Sequence, residues 1–377
     1  MLRLRRLQLT QFRSYVALDW RPASPIAVIS GPNGSGKTNL LEAISLLIPG
    51  RGLRGARTAD LPLRGAESWA VAAEIERDGI AHALGTGTPP EGPGDRRVFR
   101  LDGTAPRSQA EIAALVSAVW LTPQMDRLFQ EGASGRRRFL DRLTWALEPG
   151  HAREVSAFEQ AMSGRNRLLT DHSTDQGWLA GLEDAMARHG VAVAAARRNL
   201  IARLDAASGA TRGFPAARVL LLCPVADRLA EAPALAVEDW LRERLAADRA
   251  RDAASASAAL GTHRADMGLE DRETGLPASR ASTGQQKALL IGVILAHAQA
   301  IAEARGAPPL LLLDEPAVHL DERRRRLLFA ALADGPAQAF LTGTDSETFA
   351  PLAGIAETLV AGDGTLRSDP KMPAAGP

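Results

Sequence analysis

The chain has 377 residues, enough for a large core and two lobes, with 45% hydrophobic and 24% charged residues. A net charge of +1 excludes a case for a polyanionic partner from global charge alone, and the single cysteine, Cys223, excludes an internal disulfide and fits a reducing cytoplasm. No run of 18 apolar residues occurs and residues 1–6 lack an apolar stretch, so neither a membrane span nor a signal peptide is expected.

Leu2, Leu4, Leu7 and Leu9 alternate imperfectly with Arg and Gln, which predicts a first strand, and a second is expected up to Trp20. Ile26-Ala27-Val28-Ile29-Ser30 is an apolar run feeding a glycine loop, and residues 38–47 form an amphipathic helical pattern. Residues 69–101 read as strands, with 85–94 as a long hairpin connection. From about 136 to 245 the pattern is helical, with candidate helices at 187–205 and 248–259; no heptad persists, which excludes a long coiled coil. Mixed α/β character returns after Gly261, with strands around 310–313 and 339–342. The predicted fold is α/β. A lobe with a mixed sheet is built from 1–135 and 261–366, plus a mostly helical lobe from 136–260. A Pro/Ala/Gly-rich tail, 367–377, is expected to be disordered.

Gly31-Pro32-Asn33-Gly34-Ser35-Gly36-Lys37-Thr38 matches the complete phosphate-loop pattern between a strand and a helix. Its glycines turn backbone N–H groups onto phosphate oxygens, Lys37 reaches the β- and γ-phosphates of ATP, and the Thr38 hydroxyl ligates Mg²⁺. Leu310 to Leu313 form an apolar strand ending in Asp314-Glu315, which suits a metal-contacting carboxylate followed by one that activates water. Ser282-Thr283-Gly284-Gln285-Gln286-Lys287 precedes an apolar helix and reads as a second anion site at a helix start, since Ser282 caps and Gly284 permits close approach. One γ-phosphate does not need two such sites on one chain, so the second is expected to serve another subunit. The plain alternative is an ordinary helix cap. Gln124, after the strand-like Val119-Trp120-Leu121-Thr122, reads as a group near Mg²⁺ and the γ-phosphate or as a polar turn residue. Asp321, in His319-Leu320-Asp321, reads as a subunit-contact residue or the cap of a surface helix.

This arrangement resembles the ATP-binding-cassette ATPases with heads like those of chromosome-structuring proteins, and within them the RecF family of DNA replication and repair. Phe12-Arg13-Ser14-Tyr15, Asn33 through Ile44, Arg136-Arg137-Arg138-Phe139-Leu140-Asp141, Arg165-Asn166-Arg167-Leu168-Leu169 and Gly261-Thr262-His263-Arg264-Ala265-Asp266-Met267 carry the finer likeness. The resemblance implies that residues 31–39, Asn39 included, hold ATP and that Asp314 and Glu315 are the Walker B pair. It also implies Gln124 as the Q-loop glutamine, Asp321 as the D-loop aspartate, and Ser282, Gly284 and Gln285 as signature residues acting across an ATP-dependent homodimer. The position after the 339–342 strand carries Gly343-Thr344-Asp345 where the resemblance implies a histidine.

Arginines cluster at Arg3/Arg5/Arg6, Arg51/Arg54/Arg57, Arg96/Arg97, Arg136–138 and Arg323–326. Such clusters suit phosphate-backbone binding, though a solvated face is the plainer reading of each. Arg51, Arg54 and Arg57, directly after the phosphate-loop helix, are the leading DNA contacts. With 4% aromatic residues, duplex backbone contact is favoured over base stacking. The resemblance implies duplex DNA near single-strand gaps and junctions, RecR and RecO as partners that help load RecA, and slow ATP hydrolysis as a timer. The alternative is the ATP-binding subunit of a membrane transporter.

Overall fold

The computed structural model describes residues 1–89, 96–171, 175–208 and 214–370. Strand β1 (Leu2–Phe12) buries Leu2, Leu4, Leu7 and Leu9. The break in alternation between Leu4 and Leu7 is a register shift against a neighbouring strand between Leu4 and Arg6. There the buried Gln338 donates to the Leu4 carbonyl oxygen at 3.2 Å and accepts from the Leu4 N–H at 2.7 Å, so the shifted backbone keeps its hydrogen bonds.

Strand β2 (Tyr15–Trp20), β3 (Ile26–Ser30) and helix α1 (Lys37–Leu46) follow. Next come β4 (Ala70–Arg77), β5 (Ile80–Gly87), β6 (Val98–Leu101), α2 (Gln109–Leu115) and β7 (Ala118–Leu121). An antiparallel sheet has the order β2-β1-β4-β5-β6. Gly85 to Gly87 pair with β4, so the expected hairpin connection starts only after Gly87; positions 90–94 lie outside the described residues.

The middle of the chain supplies α3 (Ala133–Leu147), α4 (His151–Thr170), α5 (Gln176–Ala207), β8 (Ala217–Leu222), α6 (Pro224–Glu231), α7 (Ala234–Ala247), α8 (Arg249–Ser255) and β9 (Asp266–Asp271). The helix expected at 187–205 is longer, 32 residues, and packs along α4. The helix expected at 248–259 is shorter, because Ala256 turns to φ +50° and ends it. One strand was hidden in the helical stretch: β8 pairs antiparallel with β9, from Ala217 opposite Asp271 to Leu222 opposite Asp266. The described residues of 127–209 and 216–281 form one compact unit, and those of 1–126, 210–215 and 282–377 form the other.

The chain then makes α9 (Thr283–Arg305), β10 (Leu310–Leu313), α10 (Glu322–Ala333), β11 (Ala339–Gly343), β12 (Ala356–Gly362) and β13 (Thr365–Ser368). The second sheet has the order β13-β12-β3-β11-β10-β7 and is parallel except for β13. Every residue of β3, β10 and β11 is buried, as expected of parallel strands covered on both faces. Helix α9 is apolar and long enough to cross a membrane, but 78% of its apolar window is buried inside the protein, which makes it a core helix. Within the stretch expected to be a disordered tail, Arg367 and Ser368 complete β13 and the Asp369 N–H donates to the Thr358 carbonyl oxygen at 2.9 Å. Residues 371–377 lie outside the described part.

Candidate functional site

The strand order builds the site. β3 feeds the phosphate loop, β11 lies beside β3, and β10 lies beside β11. The carboxyl ends of all three therefore meet at one edge, where open parallel sheets place their ligands. The loop itself spans Gly31, Pro32, Asn33, Gly34, Ser35 and Gly36, with Pro32, Asn33 and Gly34 exposed. Helix α1 starts from Gly36 at φ +99° with no side chain capping its first N–H groups. A Cβ at Gly36 would stand 2.7 Å from Ser14 Oγ, so only glycine fits both that backbone angle and that approach.

The loop fits an anion. Lys37 Nζ donates to the carbonyl oxygens of Gly31 and Pro32 at 2.7 and 2.9 Å, so its hydrogen bonds among the described residues go to neutral partners. Burial lowers its pKa from the ordinary value, opposed by the charges of Glu315 and Asp314. Ser35 Oγ is buried with no hydrogen-bond partner among the described residues. An uncapped helix start, an orphaned hydroxyl and a cation held on carbonyls match what a triphosphate needs. Thr38 Oγ1 donates to Asp314 Oδ1 at 3.0 Å, and the same oxygen accepts from Thr342 Oγ1 at 2.7 Å. Thr38 and Asp314 thus form an oxygen pair suited to Mg²⁺, which needs few protein ligands when phosphates and waters supply the rest.

Glu315 follows with φ +49°, and its N–H donates to Thr342 Oγ1 at 2.9 Å. Gln124 is exposed in the turn Pro123–Arg127 that follows β7, next to the strand bearing Asp314. Ser282 caps α9 in a reciprocal box: its Oγ accepts from the Gln285 N–H at 3.4 Å, while Gln285 Oε1 accepts from the Ser282 N–H at 2.9 Å. Gly284 has a packing role as well, because a Cβ there would lie 2.5 Å from the His319 carbonyl oxygen. Asp321 caps α10, accepting from the Arg324 N–H at 2.8 Å. Both caps serve the fold; both side chains are also exposed to solvent.

Three residues that residue-type reasoning did not mark, Arg13, Ser14 and Tyr15, hold the loop in place. Tyr15 Oη donates to the Gly36 carbonyl oxygen at 3.1 Å, and burial pushes its phenol pKa up. Ser14 Oγ accepts from Asn39 Nδ2 at 2.9 Å. Arg13, at φ +52°, makes two 2.8 Å hydrogen bonds to the fully buried Glu42 of α1. The signal was present in the Phe12-Arg13-Ser14-Tyr15 segment, but its partners are distant in sequence.

The arginine clusters separate. Arg54 donates to Asn39 Oδ1 at 2.9 Å and lies 3.6 Å from Glu42, so it is tied to α1, whereas Arg51 and Arg57 are exposed. Arg5 and Arg6 pair with Glu76 and Asp19. Arg97 donates to the Leu46, Ile48 and Gly50 carbonyl oxygens after α1, and burial lowers its pKa to about 10. Arg136 is bidentate to Asp266, and Arg137 donates to the Ala265 carbonyl oxygen. Arg324 and Arg326 pair with Asp321 and Glu322 on the exposed face of α10.

Residues 3–361 match the family model "RecF/RecN/SMC N terminal domain". A "DNA replication and repair protein RecF" of Mesorhizobium japonicum is 46% identical over 96% of this chain and 96% of its own. Two solved structures are similar throughout. "Structure of the recombination mediator protein RecF-ATPrS in RecFOR pathway" has a TM-score of 0.83 at 22% identity, covering 97% of this chain and 98% of that one. "Structure of the recombination mediator protein RecF-ATP in RecFOR pathway" has 0.80 at 23% identity, covering 98% and 99%. With the ATPase-head fold, the phosphate loop and an end-to-end sequence match in agreement, the chain belongs to the RecF family of DNA replication and repair proteins.

Proposed function

We propose that the chain is an ATP-dependent DNA-binding protein of recombinational gap repair and replication restart, working in the cytoplasm. Two copies close head to tail on ATP and clamp duplex DNA beside single-strand gaps. They aid RecO and RecR in loading RecA, and slow DNA-stimulated hydrolysis releases the clamp. The carrying observation is that one chain presents both a complete phosphate loop and an exposed, capped helix start at Ser282 that its own γ-phosphate does not require.

In this reading Lys37 leaves the Gly31 and Pro32 carbonyls to meet the β- and γ-phosphates, and residues 31–39 wrap the triphosphate with their N–H groups. Mg²⁺, held by Thr38 and Asp314 with Gln124 alongside, supplies charge neutralisation. Glu315 orients or deprotonates the attacking water. Ser282, Gly284 and Gln285 face the nucleotide of the second copy, and Asp321 lies in the contact between copies. Arg51 and Arg57 meet the DNA backbone, with Arg54 linking them to α1 through Asn39 and Glu42. The match to RecF along nearly the whole chain leaves nothing in favour of a transporter subunit.

The test is a duplex-DNA titration with and without ATP at two salt concentrations. Tighter binding with ATP, and a steep loss with salt, are expected. Binding that ignores both ATP and salt would refute the reading.

A further inference from the structure

Glu315 is gripped on both sides of its peptide. Its N–H donates to Thr342 Oγ1 at 2.9 Å, and its carbonyl oxygen accepts from Lys287 Nζ at 2.9 Å. Between those two bonds its backbone sits at φ +49°, a strained conformation for a residue with a side chain, kept only where the surroundings impose it. Lys287 Nζ also donates to Asp126 Oδ2 at 3.0 Å, with its side chain 1% exposed. One buried ammonium therefore joins three segments. They are the start of α9 five residues after Ser282, the turn after β7 that carries Gln124, and the residue two positions past the end of β10.

We propose that Lys287, together with Thr342, is a positioning residue that sets the Glu315 carboxylate for water activation and transmits engagement of α9 to it; this rests on the ATPase reading above. Among the described residues the ammonium bonds a carboxylate and a carbonyl, so it acts through Glu315 and not on phosphate. Ser282 and Lys287 lie about one and a half turns apart on one helix, so a shift of the helix start reaches the Glu315 backbone directly. The Asp126 bond carries the same shift to the turn holding Gln124. Hydrolysis in one subunit then waits until its own Ser282 end is engaged by the second copy's nucleotide.

The experiment measures steady-state ATP hydrolysis with duplex DNA, and direct binding of a fluorescent ATP analogue, on the full chain. It compares wild type, Lys287→Met, Lys287→Arg, Glu315→Gln and the Lys287→Met/Glu315→Gln double variant. Lys287→Met is expected to lower kcat roughly 10- to 100-fold, the scale of a misplaced catalytic group, with the analogue Kd unchanged. Lys287→Arg should recover part of that loss, since a guanidinium can keep the Asp126 pairing. The double variant should be no slower than Glu315→Gln alone, because both changes remove one step. Independent, multiplicative losses would overturn the proposal, as would a loss carried wholly by analogue affinity. Normal turnover by Glu315→Gln sinks the assignment of Glu315 and this inference with it. Normal turnover by Lys287→Met beside an inactive Glu315→Gln sinks this inference alone. Should Lys287→Met fail to fold, Thr342→Val removes the other grip, and because Thr342 also bonds Asp314 its Mg²⁺ requirement is titrated too: reduced kcat at unchanged Kd and unchanged Mg²⁺ requirement supports the proposal, and normal kcat or an altered Mg²⁺ requirement contradicts it.

Discussion

Two buried cations, one in each compact unit, show how the same physics serves structure in one place and chemistry in the other. Arg165, in the helical unit, is 0% exposed and fully matched. It donates to Glu183 at 2.9 Å, Asp252 at 2.8 Å and the Leu245 carbonyl oxygen at 2.6 Å, so two carboxylates neutralise it. Lys37, in the ATPase unit, is 5% exposed and, among the described residues, hydrogen-bonds only to two neutral carbonyls, with the Glu315 and Asp314 charges acting on it without a hydrogen bond. A matched charge fixes packing and has no use for a ligand. An unmatched one carries a desolvation cost that an arriving anion relieves.

The largest effect that would sharpen this contrast is Arg165→Met. It leaves Glu183 and Asp252 buried with a cation removed, and a stability loss of about 3–5 kcal/mol is expected in thermal or denaturant unfolding. A loss under ~1 kcal/mol would break the comparison, because Arg165 would then not be a structural hub. Lys37→Met comes next. Its unfolding midpoint should hold or rise, while ATP binding weakens by about 1.5–3 kcal/mol, the worth of a hydrogen bond to a charged group. Calorimetric titration should therefore read a Kd increase of roughly 10- to 150-fold. Equal loss of stability in both variants would erase the distinction.

Ser282→Ala tests the two roles of one side chain. As a cap it should cost the chain ~1 kcal/mol of stability in the absence of ATP. A further loss of ATP-dependent self-association, measured by light scattering, is the mark of its second role; a stability loss alone would leave Ser282 a cap. The smallest stability change is expected for Arg54→Ala, about 0–1 kcal/mol, since its pairing with Glu42 is partly solvent-exposed. Its readout is the salt slope of DNA binding, which should become shallower by about one if the side chain meets a phosphate. An unchanged slope would assign Arg54 to holding α1.

The motifs of the ATPase unit were legible because each is local. A phosphate loop, an apolar strand ending in Asp314-Glu315 and a capped helix at Ser282 are each complete within about eight residues. What joins them was not legible. Thr342 is 28 residues from Asp314, Arg13 is 29 from Glu42, and Lys287 is 161 from Asp126. The sheet order brings those partners together, and nothing in either segment alone names the other. The β8 strand was missed for the same reason: Arg218-Val219-Leu220-Leu221-Leu222 lies amid helices and becomes a strand only through its ladder to β9. The middle motifs were legible as a likeness but not as a role. Arg136, Arg165 and Asp266 prove to be in buried or half-buried ion pairs within the helical unit.

The central claim is that the unmatched phosphate loop of one copy is completed by the Ser282 helix of another. Sedimentation of Glu315→Gln with ATP tests it most directly, because binding survives while turnover stops. A species of twice the chain's 40.0 kDa mass, absent without ATP and absent when Lys37→Met is added, is the expected result. A protein that binds ATP and stays at the mass of one chain would contradict the account.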